Sequence, residues 1–372
     1  MSAGVLIGTE HEYSLNSPGM VPVPESDLVL AELAGRGASE AFLGPATFTK
    51  ELQKTVIELL PARPAETVSE LEGMLASGLS EFYRRFSGRY LLMGLGMHPP
   101  LRLADTAVWD HGEGEYYEAY DRIFDLSRHG WLNIQSVQLN VSYEDETDLV
   151  RLFNALRSLI PYLVAVSAAS PFIEGRLSGA MDTRLLYYRK NQEQIPLICD
   201  RIVPERLDSL RTYRDWLSGM YRELRARGGS VLCEEWVASY GVIVRFSRPC
   251  VELKAMDEQE CLRSDMALVA FISALLRSDL SWLEQDRAAL LELTEQAISR
   301  GTPELRPELL RLVRTAEQAA TPSERRYLPL VRQRIEEGSL AELLVRDWRE
   351  ERDLPSLMKR LAGCLATDTP YR

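Results

Sequence analysis

The chain has 372 residues, of which 45% are hydrophobic and 26% are charged. This balance is typical of a folded globular protein and excludes a disordered or fibrous chain. The formal net charge of −12 argues against nucleic acid and against a membrane, so we expect neither as a partner. The five cysteines show no metal-binding spacing, no signal-peptide pattern opens the chain, and no apolar run reaches the ~18 residues of a membrane span. We therefore expect a cytoplasmic protein with free thiols.

The first predicted element is a strand over residues 4–15, and it carries two acids. Glu10 and Glu12 share one face of this strand, whereas His11 lies on the other. Carboxylates two residues apart on a strand are separated by about 7 Å and repel each other unless cations lie between them. Surface salt bridges are an alternative explanation for the same two residues.

A second pair of acids follows a Pro- and Gly-rich stretch that contains one short predicted helix, residues 25–34. Glu51 and Glu58 lie seven residues apart, and residues 56–60 alternate as a strand does. On one uninterrupted strand the two carboxylates would face opposite ways. They converge only if a turn or bulge interrupts the chain near Gln53 and Lys54.

Residues 134–143 form the clearest alternating stretch of the sequence. One face is apolar (Val137, Leu139, Val141) and the other carries only amides and hydroxyls (Ser136, Gln138, Asn140, Ser142). Amides and small hydroxyls on one face suit a sheet that forms the wall of a polar cavity. An exposed strand that happens to be uncharged is the alternative.

A further alternation, residues 250–256, places Glu252 and Lys254 on the same face. Helices are predicted over residues 66–86, 116–127, 145–169 and 208–227, a loop over 171–184 and a strand over 240–246. Helical periodicity then continues in residues 261–276, 282–300, 303–319, 322–337 and 340–349. Because no linker separates the parts, we expect one domain over residues 1–372, with the sheet in residues 1–260 and helices in 261–372. The predicted class is α+β, an antiparallel sheet with helices packed outside it.

The polar faces of these strands, if they meet, form one cavity with several carboxylates, two amides and a cation. Carboxylates at that density are strongly destabilising unless they are neutralised. Magnesium takes oxygen ligands and usually keeps water and nucleotide phosphates in its shell, so the pattern favours phosphoryl transfer from ATP. No P-loop, GxGxxG, HExxH or GxSxG motif competes with this hypothesis. The histidines, at positions 11, 98, 111 and 129, lie at no metal-binding spacing and are predicted to be structural.

Five blocks of the sequence, in order, are similar to those of a known family. They are GTEHEY, ELQKTVIEL, QSVQLNVSYEDETDLVRLFN, SPFIEGRLSGAMDTR and VELKAMD. The chain thereby resembles the carboxylate–amine ligases of the glutamate–cysteine ligase type 2 family over about residues 4–260. The resemblance implies a glutamine-synthetase-like antiparallel sheet. It also implies an enzyme that uses ATP and Mg²⁺, or Mn²⁺ in its place, to phosphorylate a carboxylate, typically the γ-carboxylate of glutamate. An amine then attacks the acyl phosphate and forms an amide.

The resemblance also implies roles for individual residues. The metal-binding carboxylates would be Glu10, Glu12, Glu51, Glu58 and Glu252. Gln138 and Asn140 would lie beside substrate and nucleotide, and Arg184 would hold the substrate carboxylate, with Lys254 as a second catalytic cation.

Two positions depart from the family pattern and keep other functions open. Asp182 stands where the family usually has Ser, and Lys254 where it usually has Arg. A noncatalytic relative that binds a nucleotide or an amino acid is one alternative, and a different phosphoryl-transfer enzyme is another. The expected partners are a small carboxylic acid, glutamate above all, and an amine that the sequence does not name. A homo-oligomer is compatible with the sequence.

Overall fold

A computed structural model describes residues 5–110, 112 and 114–372, so His111 and the start of the first predicted strand lie outside the described residues. An antiparallel sheet runs in the order β2-β3-β4-β1-β6-β10-β9, with β5 also paired to β1, and β7 and β8 form a separate hairpin. The strands are β1 Ile7–Asn16, β2 Glu40–Leu43, β3 Ala46–Lys50, β4 Val56–Pro61, β5 Leu91–Met93, β6 Ser136–Ser142, β7 Phe172–Ile173, β8 Arg176–Leu177, β9 Val242–Arg245 and β10 Cys250–Asp257.

Helices cover the apolar side of the sheet and make up most of the C-terminal part. They are α1 Ser26–Ala34, α2 Val68–Phe86, α3 Gly114–Phe124, α4 His129–Leu132, α5 Glu146–Ser167, α6 Thr183–Tyr188, α7 Leu210–Ala226, α8 Leu262–Leu276, α9 Arg287–Arg300, α10 Arg306–Ala319, α11 Leu328–Glu337, α12 Leu340–Glu351 and α13 Leu354–Thr367. The predicted α+β class with an antiparallel sheet is confirmed. The single-domain organisation over residues 1–372 stays a prediction.

Helix α5 is the centre of the hydrophobic core. The side chain of Asp145 caps its N-terminus by accepting a hydrogen bond from the backbone N–H of Asp148, 2.9 Å away. Along its length α5 packs against β10, α8 and α9. Within the described residues it is the one helix whose length and composition would allow it to cross a membrane. However, 78% of its apolar window is buried inside the protein, as in a core helix.

Strand β1 is bordered by β4 on one side and by β6 and then β5 on the other. Its pairing with β6 ends at His11, and its pairing with β5 begins at Ser14. In the gap between these neighbours, the backbone N–H of Glu12 donates to Glu258 Oε2 at 3.2 Å. A carboxylate from the segment after β10 therefore takes the place of a strand carbonyl.

Several local predictions were wrong. The predicted loop over residues 171–184 contains the β7–β8 hairpin and the start of α6, and the Pro- and Gly-rich stretch before Glu51 contains the β2–β3 hairpin. Helix α13 was missed. The helices predicted from residues 282 and 322 begin at Arg287 and Leu328, because short turns precede them. The missed strands have only two to five residues, which are too few for a period to be recognised.

Candidate active site

The polar face of the sheet forms the floor of a cavity of about 670 Å³. The five carboxylates predicted from the sequence all line it: Glu10, Glu12, Glu51, Glu58 and Glu252. Gln138, Arg184 and Lys254 line it as well. Asn140 does not. It lies beneath Glu10, donates to Glu10 Oε1 at 3.1 Å, and lines an adjoining cavity of about 580 Å³.

Three of the carboxylates form a compact cluster, here called the front triad: Glu12, Glu51 and Glu58. Each contributes one oxygen, and these oxygens all lie within 4.8 Å of one another. Glu12 and Glu58 are direct cross-strand neighbours on β1 and β4, where like charges repel. Glu51 reaches Glu12 and Glu58 because the chain turns between the end of β3 and the start of β4. The sequence predicts that Glu51 and Glu58 converge only with such a turn.

Strand β6 holds the carboxylate of Glu12 in place. Glu12 Oε2 accepts from the backbone N–H of Ser136 at 2.8 Å, and Glu12 Oε1 accepts from the Ser136 hydroxyl at 3.0 Å and from Gln138 Nε2 at 2.9 Å. The amide-and-hydroxyl face recognised in the sequence therefore orients an acid of the cavity.

The electrostatics of the front triad favour protons or a cation. Burial, followed by repulsion from Glu12, raises the pKa of Glu51 to about 8. Burial, followed by repulsion from Glu51, also raises the pKa of Glu58 well above its ordinary value. Within the described part of the chain, no arginine or lysine forms an ion pair with any of the three. Three converging carboxylate oxygens with raised pKa values fit a hard divalent cation such as Mg²⁺ or Mn²⁺.

Glu10 and Glu252 have a different environment, because each lies against a cation of the protein. Glu252 is contacted by Arg245 Nη1 at 2.6 Å and by Lys254 Nζ at 2.9 Å. Burial alone would raise the pKa of Glu252, but these two cations hold it below its ordinary value. Glu10 is contacted by Arg248 Nη1 at 2.9 Å, and the side chain of Arg248 is 55% exposed. Sequence reasoning missed both arginines, which flank the β9–β10 turn.

Arg184 lies in the first turn of α6 and is almost fully buried. Its Nε donates to Asp257 Oδ1 at 2.6 Å, and Asp257 Oδ2 accepts in turn from the backbone N–H of Ala169 and the hydroxyl of Ser170. Among the described residues Nη2 of Arg184 has no hydrogen-bond acceptor, so the protein leaves this donor unused in a residue that lines the cavity. Asp257 was present in the VELKAMD block but was not recognised as the residue that orients Arg184.

Asp182, the first departure from the family pattern, has a structural explanation. Its carboxylate caps α6 by accepting from the backbone N–H of Leu185 at 2.8 Å. Ser and Asp are both good N-cap residues, so the exchange preserves this contact.

The opposite face of β1 carries a second cluster, here called the rear triad: His11, Glu258 and Asp265. All three are fully buried, and their ligand-type atoms also lie within 4.8 Å of one another. His11 Nδ1 lies 3.2 Å from Glu258 Oε1 and 3.6 Å from Asp265 Oδ2, while Nε2 lies 2.8 Å from Thr9 Oγ1. Burial would lower the pKa of His11, but Glu258 and Asp265 outweigh it and raise the pKa to about 10. The imidazolium is therefore the internal cation of this cluster.

The other described histidines lie outside the front triad. Burial lowers the pKa of His98 to about 3, and its Nε2 lies 2.7 Å from Asn16 Oδ1, so the neutral ring has a structural role. His129 contacts Glu174.

Aromatic side chains form the wall of the cavity that does not belong to the sheet. This aromatic wall, which sequence reasoning missed, consists of Tyr116 and Tyr120 of α3, Trp131 of α4, Tyr188 of α6 and Trp236 of the turn Glu235–Val237. These residues come from four separate segments, so no spacing in the sequence could have indicated their convergence.

Comparison with known proteins identifies the family. A model of the glutamate–cysteine ligase family 2 matches residues 6–356. The chain is 49% identical over 368 residues to an uncharacterized protein of Archaeoglobus fulgidus, covering 98% of this chain and all of that one. It is 30% identical over 93 residues to the chloroplastic glutamate–cysteine ligase of Arabidopsis thaliana, a match that covers 25% of this chain and 18% of the plant protein.

Solved structures share the fold. A glutamate–cysteine ligase from Francisella tularensis in complex with AMP superposes with a TM-score of 0.68 at 13% identity, over 97% of this chain and 88% of that one. A bifunctional glutathione synthetase from Pasteurella multocida gives a TM-score of 0.66 at 15% identity, over 98% of this chain and about half, 52%, of that one. With a family model that spans nearly its whole length, the chain belongs to the glutamate–cysteine ligase family 2.

Proposed function

We propose that the protein is an ATP-dependent carboxylate–amine ligase that joins glutamate, through its γ-carboxylate, to an amine. The observation that carries this proposal is the front triad in a chain from this family: three carboxylates converge in a cavity, and no lysine or arginine of the described residues forms an ion pair with them. A small acid, an amine and ATP are the proposed substrates, with Mg²⁺ or Mn²⁺ as the metal. The proposed setting is a single catalytic domain in the cytoplasm.

The proposed reaction has two steps. An oxygen of the acid attacks the γ-phosphorus of ATP, the bond from that phosphorus to ADP breaks, and an acyl phosphate forms. The amine nitrogen then attacks the carbonyl carbon, the carbon–oxygen bond to phosphate breaks with its electron pair leaving on phosphate, and the nitrogen loses a proton. Phosphorylation is needed because a free carboxylate has no adequate leaving group.

The residues of the chain have separate tasks in this proposal. Glu12, Glu51 and Glu58 would hold a divalent cation, which would shield the repulsion between the acid and the γ-phosphate. Nη2 of Arg184 would donate to a carboxylate of the acid substrate, while Asp257 fixes the orientation of the guanidinium.

The remaining cations of the cavity would meet the nucleotide. Arg245, Arg248 and Lys254 now neutralise Glu10 and Glu252, and each has donors that suit phosphate oxygens. In the proposal these three cations turn toward the phosphates, which leaves Glu10 and Glu252 available as further metal ligands. Gln138 keeps Glu12 in place, and Asn140 keeps Glu10 in place.

The test measures ADP release with MgATP and glutamate across a panel of amines, with mass spectrometry of the products. We expect an amide and ADP in equal amounts, and no ADP when the metal is chelated. Glu58→Gln should reduce this turnover, whereas Glu81→Gln, on the exposed side of α2, should not. A stable phosphorylated acid without amide would indicate a kinase, and ATP binding without any turnover would indicate a noncatalytic relative. Either result would contradict the proposal.

A further inference from the structure

The cavity is chemically divided into two sides. Its floor on the sheet carries acids and cations, whereas the aromatic wall carries ring faces. Between ring centroids, Trp236 lies 5.7 Å from Tyr116 and 6.1 Å from Tyr120. The centroid of Tyr120 in turn lies 5.3 Å from that of Trp131. The rings thus form one connected surface.

These rings are only partly buried, although they touch one another. Tyr116, Tyr120, Trp131 and Trp236 all retain exposed surface, and all line the cavity. Connected, partly exposed aromatic rings are uncommon on the outer surface of a monomeric protein. Inside a concave site they are typical of a ligand-binding pocket. The apolar area that remains exposed favours a ligand that covers it.

The unsatisfied polar groups beside the rings are neutral. Gln192 Nε2 donates to Ser239 Oγ at 3.0 Å. Among the described residues, Gln192 Oε1 has no hydrogen-bond donor and Trp131 Nε1 has no hydrogen-bond acceptor. One amide oxygen and one indole N–H can recognise an ammonium or a hydroxyl. They supply no charge to oppose a carboxylate.

The cations that line the cavity are already engaged. Four of them lie within 3 Å of a protein carboxylate: Arg184 at 2.6 Å from Asp257, Arg245 at 2.6 Å from Glu252, Arg248 at 2.9 Å from Glu10 and Lys254 at 2.9 Å from Glu252. Lys50, another cation of the lining, contacts the hydroxyl of Tyr117. The proposed function assigns Nη2 of Arg184 to the acid substrate, and Arg245, Arg248 and Lys254 to phosphates. Among the described residues, a carboxylate on the acceptor would therefore find no cation at the aromatic wall that lacks a partner or an assigned ligand.

We infer that the acceptor is a primary amine with a ring-bearing, apolar body and no carboxylate, an arylalkyl amine rather than an amino acid such as cysteine. This inference rests on the proposed function and names its second substrate. The ring of the acceptor packs on Trp236 and Tyr120. Its nitrogen approaches as an ammonium, which aromatic faces attract, gives one proton to solvent water, and then attacks the acyl phosphate as a neutral amine.

Tyramine and tyrosine provide a matched pair of probes, because they differ only in the carboxylate. With MgATP and glutamate, kcat/KM for tyramine should exceed that for tyrosine and for cysteine by about 10-fold or more, the scale on which a site rejects an unmatched group. In the Trp236→Leu and Tyr120→Leu variants, KM for tyramine should rise by about 10-fold while KM for ATP stays unchanged. Trp282→Leu is the control, since Trp282 packs on Arg311 and does not line the cavity.

Calorimetry of tyramine binding to the unreacted protein separates the two proposals. If no acid and amine pair releases ADP, the proposed function fails, while tyramine binding that Trp236→Leu abolishes still supports the aromatic acceptor site. If an amide forms but cysteine or tyrosine reacts as fast as tyramine, the ligase stands and the arylalkyl acceptor is wrong. Absence of tyramine binding to the wild-type protein, with or without ATP, overturns the inference as well.

Discussion

The two faces of β1 carry clusters of similar composition but opposite electrostatics. The rear triad contains its own cation, the imidazolium of His11, and is closed off in the core. The front triad contains three carboxylates with which no lysine or arginine of the described residues forms an ion pair, and it opens into a cavity. Compact groups of ligand-type atoms therefore need not have the same purpose. We expect a cluster that balances its own charge to have a structural role, and a cluster that does not to bind an ion from outside.

The largest expected effect comes from neutralising the front triad. Glu12→Gln keeps the shape of the side chain but removes a negative charge and one of the oxygens that Ser136 and Gln138 orient. We expect amide formation to fall by about 100-fold or more, as when one preorganised electrostatic group is lost. Steady-state kinetics would measure the loss, and Mn²⁺ binding by electron paramagnetic resonance would test its cause. Unchanged Mn²⁺ affinity would show that Glu12 does not bind the metal.

The rear triad should give the opposite response. His11→Ala leaves Glu258 and Asp265 buried without their cation, which should lower the free energy of unfolding by about 3–5 kcal/mol. Urea denaturation measures this change. At a temperature where the variant is folded, Mn²⁺ should still bind to the front triad. A variant as stable as the wild type would mean that the rear triad is not a structural ion cluster.

Stability of the metal-free protein should depend on pH through the front triad. The pKa of Glu51 is raised to about 8 from an ordinary value of 4.5, so between these values the native state holds a proton that the unfolded chain releases. Stability therefore falls as pH rises through this window, by at most about 1.4 kcal/mol per pH unit for such a group.

The stability contributed by His11 also falls as pH rises, because the pKa of His11 is raised from 6.5 to about 10.

The comparison of wild type with Glu51→Gln isolates the contribution of the front triad. The melting temperature of the variant should decline less steeply between pH 5 and pH 8. Mn²⁺ should restore the stability of the wild type at pH 8. A melting temperature that rises with pH in the metal-free wild type would contradict the assignment.

The smallest effect is expected at Asp182, a buried acid that belongs to neither triad. Asp182→Ala removes the N-cap of α6 and should lower the free energy of unfolding by about 1 kcal/mol. Asp182→Ser keeps an N-cap side chain and should retain most of the wild-type free energy of unfolding. Thermal denaturation and ligase kinetics on both variants provide the measurement. A large loss of activity in Asp182→Ser would instead give Asp182 a part in catalysis.

The sequence predicted best where a local period was sufficient. Glu10 and Glu12 on β1, and Gln138 on β6, face the cavity as the alternation of their strands indicated. The β2–β3 hairpin was missed although its turn holds Gly44 at a positive φ of 65°, followed by Pro45, because each of its strands is very short. The Gly–Pro pair was the signal that could have revealed it.

Contacts between distant segments were beyond such reasoning. The sequence placed Lys254 on the same face as Glu252, but it did not show that Arg245 of the neighbouring strand pairs with the same carboxylate, because strand register decides which side chains meet. The same holds for Glu258, whose place behind Glu12 depends on the gap between β6 and β5. Periodicity gives the face of a residue, and only tertiary structure gives its neighbours.

The aromatic wall is carried by α3, α4, α6 and a short turn, whereas the acids are carried by strands of the sheet. Substitutions in those helices can reshape this wall without altering strand register or the positions of the carboxylates. Under the proposed function, a few exchanges outside the sheet would be enough to change the amine, and an engineer can attempt the same. The proposed phosphate chemistry, which depends on the sheet, would then be inherited unchanged by each new variant.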